Sequence, residues 1–291
     1  MGKMGLKMAE RLVAKGYEVV AYDLSAEARE KASQFGAQAA ESLAAVSAKL
    51  IAPRVIWLMV PHSAADETIK ELSAYLQAGD TLIDGGNSFY KNSVGRAEEL
   101  AKKGINFLDV GTSGGPAGAQ NGACLMIGGK KETYLQHEGL FKDLAAKEAY
   151  GYMGKSGAGH FVKMVHNGIE YGMMQALAEG FEIMKQSDFN LDLKEAARVY
   201  NHQSVIESRL VGWLENAYKE HGRDLTGISG QVAHTGEGKW TVEEAKRLGV
   251  SAPVIEAAFN FRLRSQGSPS YAGQVVSALR HQFGGHNVGE K

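Results

Sequence analysis

Val55-Ile-Trp-Leu-Met-Val60 is an apolar run without a polar break. A strand with one wet face alternates apolar and polar residues, so an uninterrupted run marks a strand covered on both faces. Upstream, Glu18-Val-Val-Ala-Tyr22 reads as a second strand, and Ser25 caps a helix running to about Gln34, with Gly36 beyond it. Before it, Met4 to Lys15 reads as a helix with Leu6, Met8, Leu12 and Val13 apolar. After Val60 come a helix near 63–77, the strand Thr81-Leu-Ile-Asp84 and a helix near 91–103, then strands at Ile105–Val110 and Ala123–Ile127. Strands alternating with helices of about 10–15 residues predict an α/β, doubly wound parallel sheet. From Ser156 the strand signals stop, and helices are expected near 157–186, 192–219, 241–249, 252–265 and 270–283. The pattern predicts a domain over 1–154 and an all-α domain over 155–291, joined in Met153-Gly-Lys-Ser-Gly157.

Composition narrows the class. A formal charge of −1 over 291 residues lacks the basic excess of nucleic-acid or anionic-membrane binders. No run reaches the ~18 apolar residues of a membrane span. The single cysteine, Cys124, cannot form an internal disulfide and is expected as a buried strand residue in a reducing, cytoplasmic protein. With 36 glycines against 5 prolines, ligand loops are a better account than disorder. No His/Cys/carboxylate cluster has metal-ligand spacing, so no metal is expected.

Gly2-Lys-Met-Gly5 matches the second and third glycines of the dinucleotide turn Gly-x-Gly-x-x-Gly, placing Gly2, Lys3, Met4 and Gly5 at a helix N-terminus suited to a pyrophosphate. The first glycine and the strand before it are absent from the sequence. Asp23 follows Gly5 by 18 residues and ends the next strand, where a carboxylate accepts hydrogen bonds from an adenosine ribose. Its charge opposes a 2′-phosphate, so NAD is expected rather than NADP.

One further stretch carries chemistry: Gly159-His-Phe-Val-Lys-Met-Val-His-Asn-Gly-Ile-Glu-Tyr171. On a helix, Lys163, His166, Asn167 and Glu170 share one face. Apolar Phe161, Val162, Met164 and Val165 surround them, a setting in which desolvation and mutual charge shift pKa values toward acid–base work.

With Trp57-Leu-Met-Val-Pro61, Asp84-Gly-Gly-Asn-Ser88, Gly111-Thr-Ser-Gly-Gly-Pro116, Gly236-Glu-Gly-Lys-Trp-Thr241 and Arg280-His-Gln-Phe-Gly-Gly-His286, the chain resembles the decarboxylating 6-phosphogluconate dehydrogenases, in their shorter, NAD-preferring form. The resemblance implies a Rossmann-like first domain and oxidative decarboxylation of 6-phosphogluconate with NAD. It makes Lys163 the base for the 3-hydroxyl and Glu170 the proton donor to the enediol. Asn167 and His166 would hold substrate hydroxyls, and Ser113, Gly114 and Gly115 the carboxylate end. Asn87 would lie between cofactor and substrate, with Met59 and Val60 facing the cofactor. Tyr171, Arg262 and Arg280 are candidates for the phosphate, Arg being the side chain best shaped to clamp one. His286 matches a substrate-binding histidine. Where longer members carry Lys-Gly-Thr, this chain has Thr235-Gly-Glu237.

Two rivals exist: another β-hydroxyacid dehydrogenase or imine reductase, and an inactive binding subunit. Asn167-Gly168 and Glu170-Tyr171 argue against the first. The helical half has no sheet to pack on, so a homodimer or dimer-based tetramer is expected, with Arg280 and His286 completing the neighbouring subunit's site as the family does. In this fold the first strand is central. The chain as written is therefore expected to be unstable and to bind NAD poorly, tested by thermal unfolding and NAD titration beside a chain extended by a strand and Gly-x-Gly.

Overall fold

The computed structural model describes residues 1–286, 288 and 289. Its elements are α1 (Lys3–Ala14), β1 (Val20–Ala21), α2 (Ala26–Gln34), β2 (Gln38–Ala39), α3 (Leu43–Lys49), β3 (Val55–Leu58), α4 (His62–Leu72), β4 (Thr81–Asp84), α5 (Tyr90–Ala101) and β5 (Asn106–Ser113). They continue with α6 (Gly115–Asn121), β6 (Ala123–Gly129), α7 (Lys131–Gln136), α8 (Glu138–Leu144) and β7 (Ala145–Gly154). The helical half is α9 (Ala158–Gln186), α10 (Leu193–Tyr200), α11 (Arg209–His221), α12 (Glu237–Leu248), α13 (Pro253–Ser265) and α14 (Tyr271–Gly284). The chain divides into two compact units, Met1–Met164 and Val165–Lys291, and α9 runs through the division.

In the first unit β3, β4, β5, β6 and β7 form one sheet in that order, and β1 and β2 pair separately. The α/β architecture stands, but the sheet is not wholly parallel. β3, β4 and β5 run parallel; β6 runs antiparallel to β5, pairing Ser113 with Cys124 and Leu108 with Gly129. A parallel return needs a crossover of about a dozen residues, and residues 114–122 are too short a link. Cys124 is exposed, not buried. Side chains alternate along a strand, and Cys124 takes the open face between buried Ala123 and Leu125. The strand expected over 18–22 shrinks to β1, and the helix expected over 192–219 is two, because Ser208 caps a new start by accepting from the Val211 N–H at 3.2 Å. The second unit packs around Met174, Phe181, Leu214, Tyr218 and Val275.

The N-terminus of α9 is anchored on β5. Asp109, mid-strand in β5 and fully buried, accepts the Gly157 N–H at 2.7 Å through Oδ1 and the His160 N–H at 2.9 Å through Oδ2. The first N–H groups of a helix have no partners within it, and its dipole favours an anion there. Gly159 then lies flat on the sheet: a Cβ there would come 2.3 Å from the Asp109 carbonyl oxygen and 2.5 Å from that of Met126.

Both blocking atoms are backbone, so Gly159→Ala must displace either helix or sheet. Overpacking of this kind costs about 1–3 kcal/mol, and urea unfolding should show a loss at the upper end of that range. Gly95→Ala, inside α5 with nothing within 4 Å of the new methyl group, should instead gain about 0.5–1 kcal/mol from helix propensity. Equal stabilities for the two variants would contradict the close packing of α9 on β5 and β6.

Candidate active site

In the first unit, three chain segments meet at the carboxyl ends of β1, β3 and β4, the edge where ligands of doubly wound sheets sit. Gly2 starts α1 in extended backbone, without a side-chain cap and with nothing within 4 Å of where a Cβ would stand. Lys3 is exposed beside it, while Met4 packs with Met8, Trp57 and Met59. Asp23 lies just past β1, accepting from the Met1 amine at 2.5 Å and from the Ser25 N–H at 2.8 Å. Burial alone would raise its pKa, but those two bonds and Arg29 outweigh it and hold the carboxyl below its ordinary range. It is therefore an anion at neutral pH. Gly5 approaches Met59 so closely that a Cβ would sit 3.2 Å from the Met59 Cβ. Gly86 lies on the Val60 carbonyl, its would-be Cβ 2.8 Å from that oxygen. Asn87 follows, exposed at the tip of the turn. The structure thus brings Gly2 to Gly5, Asp23, Met59, Val60 and Asn87 to one edge.

Lys163 is 7% exposed and lies against β5. Gly111 makes this possible, since a Cβ there would come 2.3 Å from the Lys163 Cβ. Ser113 stands two residues on, on the same face of the strand as Gly111. Gly114 and Gly115, with φ of 115° and 62°, turn the chain into α6 through backbone that favours glycine.

The second unit holds a separate cluster. Tyr171 lies under Arg262, whose Cζ is 3.3 Å from the ring centroid, a cation–π stack. Burial pushes the Tyr171 phenol up while Arg262 and Arg280 pull it back, and its Oη is buried without a side-chain partner. Burial is also the largest influence on both guanidiniums: it lowers Arg262 to about 10, Arg280 adding to the fall, and lowers Arg280 itself. At neutral pH both remain charged. Glu170 acts on both through its charge. His166 Nδ1 is 3.0 Å from Asn167 Oδ1 and 3.8 Å from Glu170 Oε2. Glu237 is buried near the arginines and accepts from Thr235 Oγ1 at 2.6 Å. His234, lowered by burial and then by Arg262 and Arg280, stays neutral.

At the C-terminal end, Arg280 lies within electrostatic reach of Tyr171, Glu237 and Glu170 of the same chain. His286 sits at the end of α14, edge-on to Phe283 with ring centroids 6.3 Å apart, and its carbonyl bonds His281 Nδ1 at 2.9 Å. Sequence reading gave no role to Asp109 or Arg96, and quoted Asp84 and Gly111 only as parts of motifs; all four hold the site residues in place. The two aspartates had a usable signal: a carboxylate inside an apolar strand needs a buried partner. Among the described residues no group of three His, Cys, Asp or Glu is placed to hold a metal ion.

Residues 1–154 match the family described as the NAD binding domain of 6-phosphogluconate dehydrogenase, and residues 159–270 match its C-terminal domain. A Bacillus subtilis protein, YqeC, provisionally named a 6-phosphogluconate dehydrogenase, is 43% identical over the whole chain and 98% of its own length. An NAD(+)-dependent, decarboxylating 6-phosphogluconate dehydrogenase of Haloferax volcanii is 41% identical over the whole chain and 97% of its own length. Among solved structures, Plasmodium falciparum 6-phosphogluconate dehydrogenase aligns with a TM-score of 0.79 at 29% identity, over 91% of this chain and 62% of that one. Sequence and fold agree along both units: the chain belongs to the 6-phosphogluconate dehydrogenase family.

Proposed function

We propose that the chain oxidises and decarboxylates 6-phospho-D-gluconate to D-ribulose 5-phosphate and CO2, with NAD as hydride acceptor. The observation that carries this reading is the Tyr171–Arg262–Arg280 cluster. Two buried guanidiniums and a buried phenol hydroxyl without a side-chain partner make a donor-rich, cationic site, the chemistry that a sugar phosphate terminus needs. A phosphate brought there would relieve the mutual repulsion of the arginines. Glu237 limits the net positive charge, in place of the lysine-bearing segment of longer relatives.

The cofactor reading rests on Gly2 to Gly5, where room is left beside an uncapped helix start, and on Asp23, an acceptor for ribose hydroxyls that repels a 2′-phosphate. These residues fit NAD. When bound, its nicotinamide supplies the acceptor for the hydride from C3. Lys163 takes the proton of the 3-hydroxyl as the hydride leaves, giving a 3-keto acid. Its ammonium then polarises the keto oxygen, so that the C1–C2 bond breaks and its electron pair forms the enediol as CO2 departs. Lys163 returns its proton to the keto oxygen in that step and recovers it as Glu170 protonates C2, which becomes C1 of the product. The proton left on Lys163 restores Glu170, so atoms and charge balance. Ser113 with Gly114 and Gly115 would receive the carboxylate, Asn167 and His166 the hydroxyls, and Asn87 would separate cofactor from substrate; His286 would bind substrate at the C-terminal end. The mechanism uses no metal.

The setting is cytoplasmic, consistent with one free thiol; no helix among the described residues is long and apolar enough to cross a membrane. The assembly is a homodimer or a dimer-based tetramer. Ile169, Met173 and Ile183, exposed by 53%, 45% and 72%, fall on one face of α9, and a second copy would cover them.

Four measurements test this. Arg262→Ala should raise KM for 6-phosphogluconate about 10- to 100-fold, the worth of about 1.5–3 kcal/mol for a hydrogen bond to a charged group; an unchanged KM would remove the phosphate reading. Lys163→Met should abolish turnover while NAD still binds, and Glu170→Gln should slow turnover more than it weakens substrate binding. Near-normal turnover in either would overturn its role. Sedimentation should show a dimer or tetramer, and a fully active monomer would contradict it.

A further inference from the structure

Arg96 of α5 is buried and touches three other segments of the first unit. Its Nε donates to Asp66 Oδ1 of α4 at 2.7 Å. Its Nη1 donates to Asp84 Oδ2, at the end of β4, at 2.7 Å and to Ser88 Oγ at 2.8 Å. Ser88 Oγ in turn donates to Asp84 Oδ2 at 2.8 Å, and the Gly86 N–H donates to Asp84 Oδ1 at 3.1 Å. Both carboxylate oxygens of Asp84 are thus engaged, one on each side of Asn87. The turn is pinned at Gly86 and at Ser88, and the one residue between them is the exposed Asn87.

The same guanidinium controls a second loop. Helix α4 begins directly after Met59-Val60-Pro61, and Asp66 lies in its second turn. Gly86 rests on the Val60 carbonyl. Arg96 therefore sets the separation of the loop after β3 from the loop after β4. A point charge on a flexible stem could neutralise Asp84, but only a planar fork reaches Asp66, Asp84 and Ser88 at fixed angles. The fork is retained although its Nη2 is buried without an acceptor, a cost that neutralising Asp84 alone would not require.

We propose that Arg96 is a positioning residue for hydride transfer: through Asp84 and Ser88 it holds Asn87, and through Asp66 it holds the Met59–Val60 loop, at the spacing a nicotinamide requires. The inference rests on the cofactor reading given above for Asn87, Met59 and Val60.

The test is a double-mutant cycle read by calorimetric titration with NAD, with KM and kcat measured beside it. Arg96→Lys should weaken NAD binding about 10-fold, and Ser88→Ala, which leaves the ion pair in place, about 3-fold. Each should raise KM for NAD more than it lowers kcat. In an Asn87→Ala background the Ser88→Ala loss should shrink to less than 2-fold, because the residue that Ser88 positions is gone, and the Arg96→Lys loss should shrink to the part that acts through Asp66 on the Met59–Val60 loop; a purely structural ion pair would cost the same in both backgrounds. Losses that add fully to that of Asn87→Ala, or NAD affinity unchanged in a folded Ser88→Ala protein, would overturn the proposal. Ser88→Ala decides alone if Arg96→Lys does not fold. Turnover of the unaltered protein with 6-phosphogluconate, measured in parallel, reports separately on the catalytic reading.

Discussion

The carboxylate of Asp109, buried in the middle of β5 and bonded to the first N–H groups of α9, is the constraint on which the arrangement of the site depends. A helix start inside a protein must find acceptors for its free donors, and an anion there also meets the positive end of the dipole. Asp109 satisfies both needs, and in return its own charge is stabilised in a place water does not reach. Because its two oxygens bind N–H groups at Gly157 and His160, they set the rotation of the helix as well as its position. That rotation turns Lys163 onto Gly111, the one residue type at that point of β5 that leaves room for it.

From that anchor, α9 runs on through the residues to which the proposed chemistry is assigned. Lys163 lies in its second turn, and His166, Asn167 and Glu170 follow at helical spacing on the same face. Farther along comes Tyr171, stacked under Arg262. The two ends of this stretch do different work. The lysine is held by packing against a strand, and the tyrosine by electrostatics among buried charges, where burial lowers Arg262 and Arg280 while Glu237 and Glu170 counter it. Arg96 gives the loops after β3 and β4 an analogous frame: a buried charge partner fixes backbone that would otherwise be free to drift.

The alternating pattern around Val55–Val60 made the α/β half legible, because buried strands and amphipathic helices write different periods into a sequence. Ser25 and Gly36 gave the bounds of α2 for the same local reason. What stayed hidden was set by distant parts of the chain. The reversal of β6 depends on how α6 folds back, Cys124 on which face of the sheet is left open, and the break between α10 and α11 on a cap at Ser208 inside an otherwise helical run. At the site, Lys163, Asn167 and Glu170 could be found from spacing on one helix. Asp109 could be flagged only as a carboxylate in an apolar strand, since its partners lie 48 and 51 residues on; the bond of Arg96 to Asp66 and the place of Arg280 near Tyr171 are likewise tertiary facts.

The most direct test of the account is hydrogen exchange at the α9 amides together with turnover in Asp109→Ala. Losing an acceptor that satisfies buried donors costs about 1–3 kcal/mol locally. Protection from Gly157 to Lys163 should therefore fall while that of β3, β4 and β5 persists, and kcat with 6-phosphogluconate should drop at least 10-fold in the folded protein. Loss of protection at the start of α9 with kcat unchanged would show that Lys163 does not depend on this anchor, and would contradict the account.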